Sequence, residues 1–369
     1  MTGLTDVPGI VSARELAATI DAIAVHQLAD GNLPWIPDGH TDPWNMVEAL
    51  MALDLGGHVE AARAGYEWLR NKQHTDGSWH AYYIGDEVED PTLDTNVTCY
   101  VATGAWHHYL TTGDTTYLGQ LWPMVEAAID YALDFQRETG EIAWRGDDPG
   151  DGALLTGSSS IHLSLQCAIA IAEHLGHERP DWELSLGALA IAIAHRPDVF
   201  LDKQRWAMDW YYPILGGVLR GYAANARIAA GWSTFVVESR GLRCVSDRPW
   251  ITAAETCEMV MALDAIGAHE QALVLFGSVQ FLRAESGGYW TGSHFEGGVF
   301  EGAGELYPVE QPTWNSAAVV LAANALVGSG PTAGLFRGER LPKGLTTDEL
   351  IAAGVEIERE RARERDRTR

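Results

Sequence analysis

Basic side chains are scarce: 25 Lys and Arg against 51 Asp and Glu leave a formal net charge of -26 over 369 residues. Such a surface repels phosphate backbones and anionic headgroups, so neither nucleic acid nor a membrane is an expected partner, and a neutral ligand is easier to accommodate. Cysteine is scarcer still. Cys99, Cys167, Cys244 and Cys257 have no C-x-x-C spacing, and three of them fall on apolar helix faces. They read as small core residues in a reducing compartment, not as disulfides or zinc ligands. There is no charged leader before an apolar run and no uninterrupted apolar stretch of spanning length, so the expected location is cytoplasmic and the sequon Asn96-Val-Thr98 is silent. H-E-x-x-H, EF-hand, P-loop and Gly-rich dinucleotide patterns are all missing, so no metal and no cofactor is expected.

Sustained alternation of apolar and polar residues is also missing, which leaves an all-α class. Helical spacing of apolar residues recurs in about twelve segments. They run near 13 to 30, 43 to 57, 58 to 73, 94 to 111, 116 to 138, 158 to 176, 182 to 196, 209 to 222, 223 to 238, 251 to 267, 269 to 285 and 312 to 327. The segments starting near 43, 94, 158, 209, 251 and 312 are apolar nearly all round, as helices covered on both sides must be, whereas the others carry charge on one face. Two of the apolar segments echo each other. Thr41-Asp-Pro-Trp-Asn-Met-Val-Glu-Ala-Leu-Met-Ala-Leu-Asp54 slides onto the stretch ending at Asp264, so that Glu48 falls on Glu258 and Met51-Ala-Leu-Asp54 on Met261-Ala-Leu-Asp264. With 46% hydrophobic residues and this repetition, the chain is expected to build one closed array, an (α/α)6 barrel through about residue 335, with a charged tail over 336 to 369.

Loops before the apolar helices are long and aromatic, and those at the other end are short, so the long-loop mouth is the functional end. It carries Trp35, Asp38, His40, Trp79, His80, Tyr82, Tyr83, Trp144, Arg145, Trp206, Arg248, Trp250, Tyr289, Trp290, His294, Glu296 and Tyr307. Flat rings with a few polar groups suit sugars, and about half of these aromatics are expected only to pin loops.

Asp76-Gly-Ser-Trp79, Asp94-Thr-Asn, Thr112-Gly-Asp114 with Trp122-Pro, and Gly287-Gly-Tyr-Trp-Thr-Gly292 before Thr313-Trp-Asn-Ser-Ala-Ala318 resemble the six-hairpin glycosidases, including the glucoamylase and trehalase group. Leu154-Leu-Thr-Gly-Ser-Ser-Ser-Ile161, Met208-Asp-Trp-Tyr-Tyr-Pro213 and Pro249-Trp-Ile-Thr-Ala-Ala-Glu-Thr256 resemble more narrowly an actinobacterial family of methylmannose polysaccharide hydrolases. That resemblance implies an endo-acting α-mannosidase on α-1,4-linked 3-O-methylmannose chains; the residues alone imply a neutral polysaccharide or oligosaccharide.

Two carboxyl groups suffice for glycoside hydrolysis, one protonating the leaving oxygen and the other activating water. Asp42 and Glu255 open two apolar helices two places apart in a ring of six, and are expected to be acid and base with inversion of configuration. Capping explains Asp42 before Pro43 almost as well, and a first-turn dipole contact explains Glu255. His40, Trp44, Asp94, Asp209, Trp210, Tyr211, Trp290, His294, Glu310 and Trp314 are expected to bind substrate. Glu310, with Glu296, Glu301 and Glu305 behind it, rivals Glu255 as base, because the glucoamylase group places its base in that region. Two other classes stay open. Asp147-Asp-Pro-Gly-Asp151 matches the D-D-x-x-D string of terpene synthases, and Gln73 to Trp79 resembles a squalene cyclase repeat, but the aspartates sit in a Pro/Gly loop where a helix is needed. A non-catalytic glycan-binding barrel would keep the aromatic mouth and tolerate loss of Asp42 and Glu255.

Overall fold

The computed structural model describes residues 4–295 and 304–367. Inner helices α2 (Pro43–Leu55), α4 and α5 (Thr95–Cys99 and Val101–Thr112), α7 (Leu155–Leu175), α9 (Ala207–Leu215), α11 (Ala253–Ala265) and α13 (Thr313–Val327) form a ring in which each touches the next and α13 closes on α2. Outside it lie α1 (Ala13–Ala24), α3 (Val59–Lys72), α6 (Thr115–Leu133), α8 (Pro180–His195), α10 (Gly221–Phe235) and α12 (His269–Ser278). This is the expected (α/α)6 barrel, with α1 packed on α13 as the last outer partner.

The division into two rings follows from the side chains. In α11 every residue from Thr256 to Asp264 is buried, and in α13 every residue from Asn315 to Ala323, so these helices need cover on all sides. Outer α3 instead buries one stripe, Ala62, Tyr66 and Leu69 with Gly65 and Trp68. Gly65 brings the rings together: a Cβ there would stand 2.3 Å from Leu50 Cδ2. By length and composition α7 is the one described helix that could cross a membrane, but it is an inner helix buried within the protein.

A repeated clamp joins neighbouring outer helices. After α1, Gln27 Nε2 donates to Gly31 O (3.0 Å) and to Ala61 O of α3 (2.8 Å). After α3, Gln73 does the same with Gly77 O and Met124 O of α6, and after α6, Gln136 with Gly140 O and Ser185 O of α8. Each glycine has positive φ and presses on the next helix; a Cβ on Gly77 would meet Ala127 O at 2.1 Å, so only glycine fits.

Three expectations are corrected in detail. Short strands are present: β1 (Tyr82–Ile84) pairs with β2 (Glu87–Asp90), and β3 (Val236–Val237), β4 (Gly241–Arg243), β5 (Trp250–Thr252), β6 (Gly292–His294) and β7 (Glu305–Leu306) form an antiparallel sheet in chain order. Strands of two to four residues are too short to show alternation. The segment expected over 94 to 111 is interrupted at Tyr100, and the one expected to reach 285 ends at Ser278. At the mouth away from the long loops, the chain after α13 crosses the barrel end, with Arg220 donating to Phe336 O (3.0 Å), Gln166 to Pro342 O (3.2 Å) and Arg337 to Asp264 Oδ2 (2.6 Å). The final helix, α14 (Thr347–Arg367), packs along α8.

Candidate active site

Asp42 is the N-cap of α2, and its carboxyl group is fixed by three donors: Asn45 N (2.9 Å) on Oδ1, and Asn45 Nδ2 (2.7 Å) and Trp35 Nε1 (2.6 Å) on Oδ2. The capping role weighed from sequence is therefore present, and it does not exhaust the residue. Burial raises its pKa above the ordinary aspartate value against the pull of those hydrogen bonds and of His40. Around it stand rings from four segments. Trp35 meets His40 (4.3 Å between centroids), Trp314 (5.3 Å) and Tyr82 (5.9 Å) edge-on, and His40 also pairs with Glu89 Oε2 at 3.0 Å. Trp44 stacks on Tyr100 at 4.3 Å and donates to Ser160 Oγ (3.3 Å). Asp94 caps α4 through Asn96 N and Val97 N, and burial, together with the charge of Asp42, lifts its pKa to about 6.

Glu255 sits in the first turn of α11, half-buried, and its charge acts on Cys244, Tyr211 and Glu258. Between the two expected catalytic groups lies a pair that the sequence reading aligned but did not single out. Glu48, two turns into α2, accepts from Tyr100 Oη (3.2 Å), and Glu258 accepts from both Tyr211 and Tyr212 hydroxyls. All five side chains are buried. The acids form a string in which the charges of Asp42 and Glu258 act on Glu48 and that of Glu255 acts on Glu258. The echo itself was the available signal, since it superposes Glu48 on Glu258.

The remaining expected residues separate. Tyr211 is wholly buried below the mouth as a Glu258 partner. Trp210 turns away from the lumen: Nε1 donates to Arg227 O (2.6 Å) and the ring stacks on Phe235, so it packs α9 on α10 and is not a wall of the site. Asp209 accepts from Thr156 Oγ1 (2.9 Å), and burial raises its pKa. Trp290 is half-buried, with its carbonyl held by Asn315 Nδ2 (3.1 Å). His294 lies on β6 between Trp250 and Glu305, in a groove completed by Arg248 and Tyr307. Glu310 lines a different groove, beside Ala18, Asp21 and Ala22 of α1, and its carbonyl accepts from Thr291 N (3.1 Å). Glu296 and Glu301 lie outside the described residues. Trp79, Tyr289 and Tyr83 pin loops. Asp147, Asp148 and Asp151 are exposed in a loop tied to Arg145, and among the described residues no cluster of three His, Cys, Asp or Glu side chains could hold a metal ion.

No protein-family profile matches the chain. Over 345 residues, 92% of this chain and 93% of the relative, it is 48% identical to the MMP endo-(1,4)-3-O-methyl-alpha-D-mannosidase of Mycolicibacterium hassiacum. The chain belongs to that mannosidase family. The barrel recurs in more distant proteins. A wild-type glycosidase is 17% identical with a TM-score of 0.66, covering 85% of this chain and 96% of that one. A rhamnosidase from Klebsiella oxytoca with rhamnose bound is 14% identical at 0.59, over 85% and 64%. A D-mannose isomerase is 12% identical at 0.62, over 86% and 99%. The same barrel thus recurs in proteins named for hydrolysis and for isomerisation, so side chains and not the fold distinguish their chemistry.

Proposed function

We propose that this protein is a glycoside hydrolase that cleaves internal α-1,4 bonds between 3-O-methylmannose units of a neutral polysaccharide. The reading is carried by the 48% identity, held across nearly the whole of both chains, to a relative named for that activity. The mouth is consistent with it. A methyl ether replaces a hydroxyl donor with apolar surface, which suits the rings of Trp35, Trp44, Tyr82 and Trp314 better than a dense field of hydrogen-bonding groups would.

In the mechanism we propose, Asp42 is the general acid and Glu255 the general base. Burial raises the Asp42 pKa, which favours a proton available for the leaving oxygen, and Trp35 and Asn45 fix the direction in which it is presented. Glu255, on the α11 side of the lumen, activates a water that attacks from the opposite face and inverts the anomeric centre. Asp94, Trp290 and His294 hold sugar units farther from the bond that breaks. The experiment is to incubate the protein with methylmannose polysaccharide and, in parallel, with an α-1,4-glucan, and to size the products by mass spectrometry. Shortened methylmannose chains beside intact glucan are expected; untouched methylmannose polysaccharide would refute the assignment. Proton NMR of the first anomer released tests inversion.

A further inference from the structure

Among the described residues, two carboxyl groups buried beneath the mouth have no cation to balance them. Glu48 is 2% exposed and Glu258 5%, and they act on each other across the lumen. Among the described residues, the groups that face them come from five inner helices and the loop before α11. Tyr100 reaches Glu48 from the α4–α5 break, and Tyr211 and Tyr212 reach Glu258 from α9. Asp42 and Glu255 stand on the acids' own helices, Cys257 is beside both, and Cys244 lies beside Glu255 and Glu258. From α7, Cys167 faces Tyr100, and α13, which lies between α2 and α11, has no ionisable side chain. Two like charges in such a place cannot both persist, so the pair must hold protons.

The tyrosines make the two acids unequal. Both oxygens of Glu258 accept a phenol hydrogen bond, an arrangement that favours its charged form, whereas Glu48 has one such bond, of 3.2 Å, and an oxygen free to carry a proton. We propose that Glu48 and Glu258 form a buried acid pair that keeps one proton on Glu48 and exchanges a second at Glu258, and that the charge on Glu258 bears on the reaction of its neighbour Glu255. Burial drives both groups upward, Glu258 to about 8 with the tyrosines opposing the rise, so the exchangeable proton is the one on Glu258. Glu255 and Glu258 are three residues apart on one helix, which places the positioning charge one turn from the proposed base.

The consequence for pH rests on the reading of Glu255 as a reacting carboxylate; the proton inventory does not. Infrared difference spectra between the wild type and Glu48→Gln at neutral pH should show the loss of one carboxylic-acid carbonyl band, whatever the activity. The absence of that difference would overturn the pair. In kcat/KM against pH, Glu258→Gln should lack the Glu258 ionisation that the wild type displays in addition to that of the Asp42 acid. Glu48→Gln should leave the profile in place. Tyr212→Phe, which removes one donor without touching a carboxylate, should move the Glu258 ionisation upward by roughly one pH unit. A Glu258→Gln profile superimposable on wild type, or a Glu48→Gln profile altered as much as that of Glu258→Gln, would reject the assignment. An infrared band lost as expected, beside an unchanged Glu258→Gln profile, would locate the failure in the role given to Glu255 and not in the pair.

Discussion

The two sides of the lumen use one helical pattern to different ends. On the α2 side, the carboxyl group at the helix start is an N-cap held by three donors and ringed by Trp35, His40 and Tyr82, and the glutamate below it has a single phenol partner. On the α11 side, Thr252 is the N-cap residue without a side-chain bond, Glu255 lies inside the first turn, and the glutamate below has two phenol partners. A group fixed by donors in a buried setting holds a defined orientation, whereas one free of a capping duty can turn toward a water. The difference teaches that the repeat supplies positions, and that neighbours from other helices assign the work.

The largest effects should come from the two helix-start acids. Asp42→Asn and Glu255→Gln are each expected to lower kcat by about 10²- to 10⁴-fold on methylmannose polysaccharide, with affinity for the chain retained, as determined by steady-state kinetics and by calorimetric titration. Turnover unchanged in either variant would remove that residue from the pair.

This contrast between the two sides was only partly legible in the sequence. The rings could be read because α11 and α13 are apolar on all faces and α3 is not, a difference that survives without coordinates. The five-stranded sheet could not, since Val236–Val237 or Glu305–Leu306 alone has no period to detect. Asp42 was legible through Asp-Pro at a helix start. Glu48 and Glu258 were visible as an alignment but not as a pair, because only closure of the ring brings residues some 210 positions apart to one lumen. Trp210 faces away for a local reason: its Nε1 donates to Arg227 O and its ring stacks on Phe235, partners on α10 that the sequence pattern does not reveal.

Trp44 and Trp210 sharpen the comparison at the next level. Trp44→Ala should raise KM by about tenfold with little change in stability, because it removes a half-buried ring from the mouth. Trp210→Ala should leave KM alone and cost about 3 kcal/mol of stability, since it empties a packed site between α9 and α10. Kinetics beside urea unfolding separates the two, and a matched pair of effects would show that both rings serve the same role.

Asp94, beside Asp42 on the α2 side, provides a smaller effect that depends on pH. Its folded pKa of about 6 lies above the unfolded value, so the native state binds the extra proton between roughly pH 4 and 6 and stability falls as pH rises through that window. Asn keeps the N-cap without the titration. Asp94→Asn should therefore match the wild type near pH 4 and exceed it by about 1 to 2 kcal/mol above pH 6, measured by urea unfolding across the range. A gain that is constant with pH would mean that Asp94 is not held above its ordinary value.

The smallest expected effect tests whether capping and chemistry are separable at Asp42. Asn accepts from the Asn45 backbone as Asp does, but Ala cannot, so Asp42→Ala should be less stable than Asp42→Asn by about 1 kcal/mol while both are equally inactive. The corresponding substitutions at Glu255 should be equal in stability, because no cap is lost there. If Glu255→Ala proved as destabilising relative to Glu255→Gln as the Asp42 pair, the α11 acid would be held by its surroundings as firmly as the α2 acid. The asymmetry assigned to the two sides of the lumen would then have to come from the glutamates below them alone.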